Sequence, residues 1–267
     1  MSSQPDLSVV VPAYAEAPRI VSSLRALAAH FAARPSLRVE VVVVVADADD
    51  GTLQLARLCA PWFEELRVID AGPRVGKGRD VRMGLLAARG RYRMFMDTDL
   101  ATPLHHLDSL AAYMAANAAL VIGVRDLWRT HTSLRRRLVA AGGNVLIRTL
   151  LLPGLRDTQC GFKLFRSDVC EVVFRDASID GWGFDLEVLA AARRLGYAID
   201  TLPIDDWSDP KPVVLGLGAD PVGRAARQVL RDLLRLRVRQ WLAAADPTTS
   251  RRDPFVHSEP ARENATG

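Results

Sequence analysis

Residues Met94–Pro103 read MFMDTDLATP, and this stretch is the most informative part of the sequence about the fold. An apolar run ends abruptly in two acids one residue apart, Asp97 and Asp99, with Thr98 between them. A buried strand that ends this way puts both carboxylates at the carboxyl edge of a sheet, where open α/β sheets bind ligands. Alternate residues of an extended segment share a face, so Asp97 and Asp99 are suited to bind one hard cation, Mg²⁺ or Mn²⁺. An Asp-rich turn without a metal is the alternative, because short motifs often match by accident.

The composition is that of an ordinary globular protein. The 267 residues are 49% hydrophobic and 25% charged, with a net charge of +4, which allows one large domain or two small ones with ample core. The three cysteines form no CxxC pair and no signal peptide is recognisable, so we expect reduced thiols and a cytoplasmic protein. The longest apolar run, Leu110–Ala116, is far too short to cross a bilayer. Any membrane contact is therefore expected from the surface.

The first half of the chain alternates between strand and helix patterns. Strands are predicted at Leu7–Val11, Glu40–Val45, near Leu66–Ile69, and immediately before Asp97. Helices are predicted after Ala17-Pro18, over Thr52–Cys59, from Gly76–Gly78 to about Ala88, and after Pro103. Short loops join these segments, which predicts a doubly wound, mostly parallel α/β sheet.

The second half continues with fewer clear signals. Strands are predicted at Ala119–Val124, ending at Arg125, and at Ala198–Pro203, and helices at Ala140–Leu151 and Phe184–Leu195. The segment Asp157–Phe165, DTQCGFKLF, is predicted to end a loop. We expect a flexible start over 1–6, an α/β domain over 7–215, a basic amphipathic helix within 216–245, and a disordered tail over 246–267.

Two further strand edges carry polar residues. Asp47 follows the second strand, and Gly76-Lys77-Gly78 follows the third. Glycines allow the backbone to approach an anion closely and a lysine offers it a point charge, although the spacing is not that of a Walker A loop and a plain surface turn is the alternative. Together with Asp97 and Asp99, these edges indicate a nucleotide diphosphate held with a divalent metal.

Five segments together resemble the family 2 glycosyltransferases. They are Pro12–Glu16 (PAYAE), the acidic turn at Asp47, Gly76–Gly90 (GKGRDVRMGLLAARG), MDTDLATP, and DTQCGFKLF. The resemblance covers about Leu7 to Trp207 and is closest to the polyprenyl-phosphate branch, with TQCGFK more similar to the dolichyl-phosphate glucosyltransferases than to the mannosyltransferases. It implies a GT-A fold and the inverting transfer of a hexose, expected to be glucose. The donor would be a UDP-sugar in preference to a GDP-sugar, and the acceptor a dolichyl or undecaprenyl phosphate.

The resemblance also implies roles for individual residues. Nucleotide contacts are implied for Pro12, Tyr14, Glu16, Asp47, Gly76, Lys77, Gly78, and Thr98. Metal binding is implied for Asp97 and Asp99, and acceptor-phosphate binding for Arg125 and Arg136. The residues implied to line the sugar pocket are Gln159, Trp182, Asp185, and Glu187. The chain differs from the family's usual residues at four places. Ala15 stands where the family has Asn, Ala46-Asp47-Ala48-Asp49 where it has Asp-Asp-Gly-Ser, Thr98 where it has Ala, and Ala140 where it has Ser.

The acceptor decides what the site must supply. An ionised lipid phosphate is already a competent nucleophile, so positioning and charge neutralisation suffice. A hydroxyl acceptor would require a carboxylate near the anomeric carbon, with Asp157 or Asp185 as the first candidates.

Other signals admit two interpretations. Pro221–Leu242 predicts an amphipathic helix with Arg227, Arg231, Arg235, and Arg239 in a basic stripe. Its predicted apolar face comprises Ala226, Val229, Leu230, Leu233, Leu234, Val238, and Trp241. Such a helix either lies on anionic lipid or docks on the α/β domain with its arginines in water. His105 and His106 are candidate third metal ligands or simply residues at a helix start, and Cys160 is interpreted as a packing residue.

Three rival functions remain open from the sequence. One is the same donor chemistry on a soluble hydroxyl acceptor, and another is a sugar-phosphate nucleotidyltransferase, which the missing N-terminal Gly-rich loop disfavours. The third is a degenerate protein that binds nucleotide sugar or membrane without turnover, which Ala15 and Ala46 would support. Nucleic acid is not an expected partner, because no basic patch interleaved with aromatic residues is present.

Overall fold

The computed structural model describes residues 4–125, 142, 145–208, and 227–238. The strands in these ranges are β1 (Leu7–Tyr14), β2 (Val39–Asp47), β3 (Leu66–Pro73), β4 (Tyr92–Met96), β5 (Leu120–Arg125), β6 (Phe162–Arg166), and β7 (Ile199–Ile204). The helices are α1 (Ile20–Ala32), α2 (Thr52–Leu58), α3 (Lys77–Ala87), α4 (His106–Ala115), α5 (145–150), α6 (Ser167–Arg175), α7 (Phe184–Arg194), and α8 (227–238). A 3₁₀ turn covers Ala60–Trp62.

The strands form one sheet in the order β3-β2-β1-β4-β6-β5-β7. β6 pairs antiparallel with both β4 and β5, while the other neighbouring strands are parallel. The predicted mostly parallel α/β sheet is therefore confirmed. The carboxyl ends of β1, β2, β3, and β4 meet at one edge, as expected for parallel neighbours.

The prediction for Asp157–Phe165 was wrong in its second half. Phe162–Arg166 is a central strand, not the end of a loop, and Phe162 pairs with Met96 at the end of β4. The strand was missed because Lys163 interrupts its apolar pattern. Lys163 is nevertheless fully buried, and its Nζ lies 2.6 Å from Asp185 Oδ1. An ion pair therefore allows a charged residue to occupy the interior of the sheet.

The core lies on both faces of the sheet. Val42 and Val44 belong to the cluster that includes α3, α6, and α7, whereas Val41 and Val43 belong to the cluster on the opposite face with α1. This division follows from the alternation of side chains along a strand. It explains why β2 is an unbroken apolar run, which is typical of parallel strands covered on both sides.

The predicted C-terminal helix is confirmed over 227–238, but its apolar residues do not form one face. Leu233 and Leu236 are buried against the domain, whereas Leu230, Leu234, and Val238 are exposed. The two sets lie on different sides of the helix, so the domain takes only part of its apolar surface. The ends of the predicted helix and the predicted tail over 246–267 lie outside the described residues. In the part of the chain that is described, no helix is long and apolar enough to span a bilayer.

Candidate active site

The twin aspartates lie at the sheet edge where the sequence predicted them. Asp97 and Asp99 directly follow β4, and Asp99 Oδ1 accepts a hydrogen bond of 3.0 Å from the Ala101 N–H. Burial and the negative charge of Asp97 raise the pKa of Asp99. Thr98 is buried between them, and its Oγ1 donates 2.7 Å to the Pro12 carbonyl. Thr98 and Pro12, predicted as nucleotide contacts, thus join the end of β4 to β1.

Asp97 is held from two sides. Lys77 Nζ lies 2.5 Å from its Oδ1. On the other side is Gly161, where an added Cβ would lie 2.6 Å from Asp97 Cγ. Burial alone would lower the pKa of Lys77, but the charge and hydrogen bond of Asp97, followed by the charges of Asp185 and Asp99, raise it. Lys77 is therefore a charged partner of the acidic cluster.

Glu16 adds a third carboxylate to this edge. Ala15 has a φ of +55°, a left-handed conformation that turns the chain after β1, and the Glu16 N–H donates 2.9 Å to Thr52 Oγ1. Burial raises the pKa of Glu16 to about 7, with further contributions from the charges of Asp99 and Asp97 that its partner Arg19 opposes. Asp97 and Asp99 thus contribute to the raised pKa of Glu16, and a cluster of neighbouring carboxylates of this kind gains from a bound cation.

Asp47, the nucleotide contact predicted at the end of β2, lies in a surface cavity. Asp47 and Gly72 line it, at the carboxyl ends of β2 and β3. The guanidinium carbon of Arg74 is 4.0 Å from the ring centre of Tyr14. The cavity also contains three further acids, Asp49, Asp50, and Asp70. Carboxylates and stacked planar groups of this kind suit the hydroxyls and base of a nucleoside.

Gly76 and Gly78 have a packing role at the start of α3. An added Cβ at Gly76 would lie 2.9 Å from the carbonyl carbon of Asp180, and one at Gly78 would lie 2.5 Å from the Ile179 carbonyl oxygen. The loop 178–181 is fixed in turn by Glu187, which accepts 2.9 Å from the Ser178 N–H and 2.7 Å from the Ile179 N–H. Glu187, predicted in the sugar pocket, supports the loop that packs on the glycines.

The other residues predicted for the sugar pocket divide into two groups. Trp182 is half exposed, and Lys77 Nζ lies 5.3 Å from the centre of its ring. Asp185 is buried and paired with Lys163, and burial raises its pKa despite that partner. Only Trp182 of these two presents an open surface beside the acidic cluster.

Arg125 and Asp157 form a bidentate ion pair. Arg125 Nε and Nη2 donate 2.6 and 3.0 Å to the two carboxylate oxygens. The charge and hydrogen bonds of Arg125 lower the pKa of Asp157, although burial alone would raise it. The Gln159 N–H also donates 3.1 Å to Asp157, while the residue is exposed. Arg136 lies outside the described residues.

Three residues near the site were not predicted from the sequence. Arg74, Gly161, and Lys163 each contact a predicted site residue, but each lies in an ordinary-looking context. The thiol of Cys160 has its pKa raised to about 11 by burial, which agrees with its interpretation as a packing residue. All three cysteines are free thiols.

Comparison with known families identifies this arrangement. The model of the family described as Glycosyl transferase family 2 matches residues 8–174, which include β1, the acidic cluster, and β6. The chain belongs to this family. The resemblance found in the sequence is therefore confirmed, and the chain is a glycosyltransferase by family.

The named relatives cover different parts of their own length. Glycosyltransferase AglD from Haloferax volcanii is 32% identical over 241 residues, which are 88% of this chain but 38% of AglD. The dolichyl-phosphate beta-glucosyltransferase of Drosophila melanogaster is 34% identical over 221 residues, which are 76% of this chain and 67% of that enzyme.

A solved structure supports the fold. Glucosyl-3-phosphoglycerate synthase from Mycobacterium tuberculosis, in complex with Mn²⁺, UDP-glucose, and phosphoglyceric acid, aligns with a TM-score of 0.62 at 20% identity. The alignment covers 88% of this chain and 80% of that protein. The predicted GT-A fold is confirmed by this likeness.

Proposed function

We propose that this family 2 glycosyltransferase moves glucose from UDP-glucose to a polyprenyl phosphate with inversion at the anomeric carbon. The relatives named dolichyl-phosphate beta-glucosyltransferases, near 30% identity, support the lipid phosphate and the sugar. The solved glucosyl-3-phosphoglycerate synthase complexes, which hold UDP-glucose with Mn²⁺, support the donor. We retain the division into a catalytic domain over 7–215 and a basic helix within 216–245.

The choice of a phosphate acceptor rests on the contacts of Asp157 and Asp185, the two carboxylates that are candidate general bases for a hydroxyl acceptor. Asp157 is bound on both oxygens by Arg125, and Asp185 is buried against Lys163. A general base must be free to accept a proton from the acceptor. A phosphate acceptor brings its own negative charge and needs no such base, so it suits this site better than a hydroxyl does.

The acidic cluster fits a divalent metal. Asp97 and Asp99 lie one residue apart at the strand end, and burial together with the neighbouring carboxylates raises the pKa values of Asp99 and Glu16. Asp97 and Asp99 would hold Mg²⁺ or Mn²⁺, which when bound neutralises charge that develops on the departing diphosphate. Lys77 would then turn from Asp97 toward the same diphosphate, which adds a second positive charge.

The transfer itself is a single displacement. A phosphate oxygen of the acceptor bonds to the anomeric carbon from the face opposite the donor diphosphate, and the bond from that carbon to the diphosphate oxygen breaks. UDP leaves with the electron pair and the configuration inverts. Arg125, at the end of β5, would orient the acceptor phosphate, and Trp182 would cover the sugar.

We further propose that α8 rests on an anionic membrane surface that contains the acceptor. Its exposed face presents Leu230, Leu234, and Val238 one turn apart, with Arg231 and Arg235 alongside. This combination of apolar and basic side chains suits the lipid interface. The same helix packs on the loop beside Trp182, because Asp232 Oδ2 would lie 2.5 Å from a Cβ at Gly183.

The acceptor is tested by incubating the full chain with UDP-glucose, Mg²⁺, and a short polyprenyl phosphate, followed by mass spectrometry of the lipid. The expected product is the glucosyl phosphate lipid, and it should disappear with EDTA. A product formed only with added alcohols or glycans would overturn the lipid acceptor, and binding of UDP-glucose without any product would favour the degenerate protein.

The membrane surface is tested by sedimentation with vesicles of phosphatidylglycerol and phosphatidylcholine. Leu234→Glu is expected to weaken binding at least about tenfold, because a charge replaces apolar surface at the interface. Leu58→Glu is the matched control, since Leu58 is also highly exposed but lies on α2. Equal binding of the two variants would contradict the proposed role of α8.

A further inference from the structure

Two neighbouring histidines and a distant aspartate converge at the start of α4. His106 Nε2 lies 2.7 Å from Asp206 Oδ1, and His105 Nε2 lies 3.4 Å from Asp206 Oδ2. One ligand atom from each of the three side chains lies within 4.8 Å of the others. The imidazole rings are 4.3 Å apart with an interplanar angle of 36°, so both can face the same carboxylate.

We propose that His105, His106, and Asp206 bind a zinc-class divalent cation. Imidazole nitrogen combined with a carboxylate oxygen favours Zn²⁺, Co²⁺, or Ni²⁺ over Mg²⁺, which prefers oxygen ligands alone. Four tetrahedral ligands about 2.0–2.1 Å from zinc lie about 3.3 Å from one another. The observed separations are 2.7 Å to Asp206 Oδ1 and 3.4 Å to Asp206 Oδ2, and one ligand atom from each side chain lies within 4.8 Å of the others. Rotation of the side chains can therefore bring all three to one ion.

The protonation chemistry is consistent with such an exchange. His106 must carry its proton on Nε2 to donate the hydrogen bond to Asp206. A cation would replace that proton, and it would use the Nε2 lone pair and the same carboxylate. His106 is nearly buried and supplies a fixed ligand, whereas the His105 side chain is 61% exposed and that of Asp206 49%. Water can therefore reach the remaining coordination position.

The location gives the ion a structural consequence. Asp206 belongs to the segment that follows β7, and in that segment the Ser208 N–H donates 3.0 Å to the Ala101 carbonyl. Trp207 lies between them in the sequence, and its ring centre is 5.2 Å from the guanidinium carbon of Arg125. An ion on Asp206 would fix this segment to the loop that follows Asp99. Its effect on Arg125 and the acceptor rests on the proposed function, but the binding of the ion does not.

The test is a titration of the chelator-treated full chain with Co²⁺ in excess Mg²⁺, so that Mg²⁺ competes at the aspartate cluster. We expect one Co²⁺ per chain with visible d–d absorption, displacement by Zn²⁺, and a rise of several degrees in the Tm. Asp206→Asn and His105→Gln should each weaken Co²⁺ binding at least tenfold and abolish the Tm rise. Both substitutions are at well-exposed side chains, so the fold should survive.

His30→Gln is the matched control. His30 Nε2 also faces a carboxylate, that of Asp108 at 3.5 Å, but a second imidazole is not part of that pair. Its substitution should leave the Co²⁺ affinity within twofold. The proposal is overturned if wild-type chain binds no Co²⁺ in excess Mg²⁺, or if Asp206→Asn binds it unchanged. Either result would leave glucose transfer by the wild type intact, which separates this failure from failure of the proposed function.

Discussion

Gly161→Ala is expected to disable the active site while preserving the fold. An added Cβ would lie 2.6 Å from Asp97 Cγ, whereas ordinary contacts begin at 3.4 Å, so the carboxylate must move by at least about 0.8 Å. The Asp97 carboxylate is the end of a side chain and can rotate away at little cost to stability. A displacement of about 1 Å in a catalytic group costs roughly 100-fold in rate, which corresponds to about 2.7 kcal/mol of transition-state stabilisation.

The assay is kcat/KM for glucose transfer from UDP-glucose, measured together with the Tm of the variant. Gly84→Ala provides the control, because its Cβ would lie 2.8 Å from Val44 Cγ2 in the core under α3. That variant should lower the Tm but keep kcat/KM within threefold when folded. If Gly161→Ala retains more than a third of the wild-type kcat/KM, the position of Asp97 is not what the chemistry requires.

Three further predictions concern other parts of the site. Lys77→Gln removes the cation paired with Asp97, so calorimetry should show tighter Mn²⁺ binding without nucleotide, while turnover falls at least about tenfold; unchanged Mn²⁺ affinity would contradict the competition. Asp157→Asn should lower the free energy of unfolding by about 3–5 kcal/mol at pH 7, because it leaves Arg125 without its buried partner. Because the folded-state pKa of Asp157 is lowered, the difference in unfolding free energy between wild type and variant is complete above the unfolded pKa of about 4 and shrinks as the pH falls through the folded pKa. Urea unfolding at pH 7 and pH 3 measures it. A difference that does not change with pH would refute the ion-pair explanation. Gly183→Ala should displace α8, seen as faster amide hydrogen exchange over 227–238, whereas unaltered exchange would show that the close contact with Asp232 is unimportant.

The sheet edge was predictable because parallel strands bring distant residues together by a simple rule. Once β1, β2, β3, and β4 are recognised, their carboxyl ends must meet, and Asp97 and Asp99 fall at that edge. The helical pattern that places Lys77 at the start of α3 works in the same way. These predictions needed only local periodicity and the geometry of parallel sheets.

The residues that were missed depend on pairing between distant segments. Lys163 lies in a buried strand because Asp185 on α7 neutralises it, and no local pattern announces that partner. Gly161 matters only because β6 runs antiparallel beside β4 and brings it against Asp97. The apolar residues of α8 are separated into buried and exposed sets by contact with the domain. A hydrophobic pattern alone does not distinguish these sets.

The proposed metal site is tested most directly by a crystal structure of the full chain with Mn²⁺ and UDP, using anomalous scattering at the manganese edge. We expect one strong peak within coordination distance of Asp97 and Asp99, with Lys77 moved from Asp97 toward the diphosphate. A nucleotide bound without manganese at these carboxylates, with Lys77 still paired to Asp97, would contradict the proposed metal site.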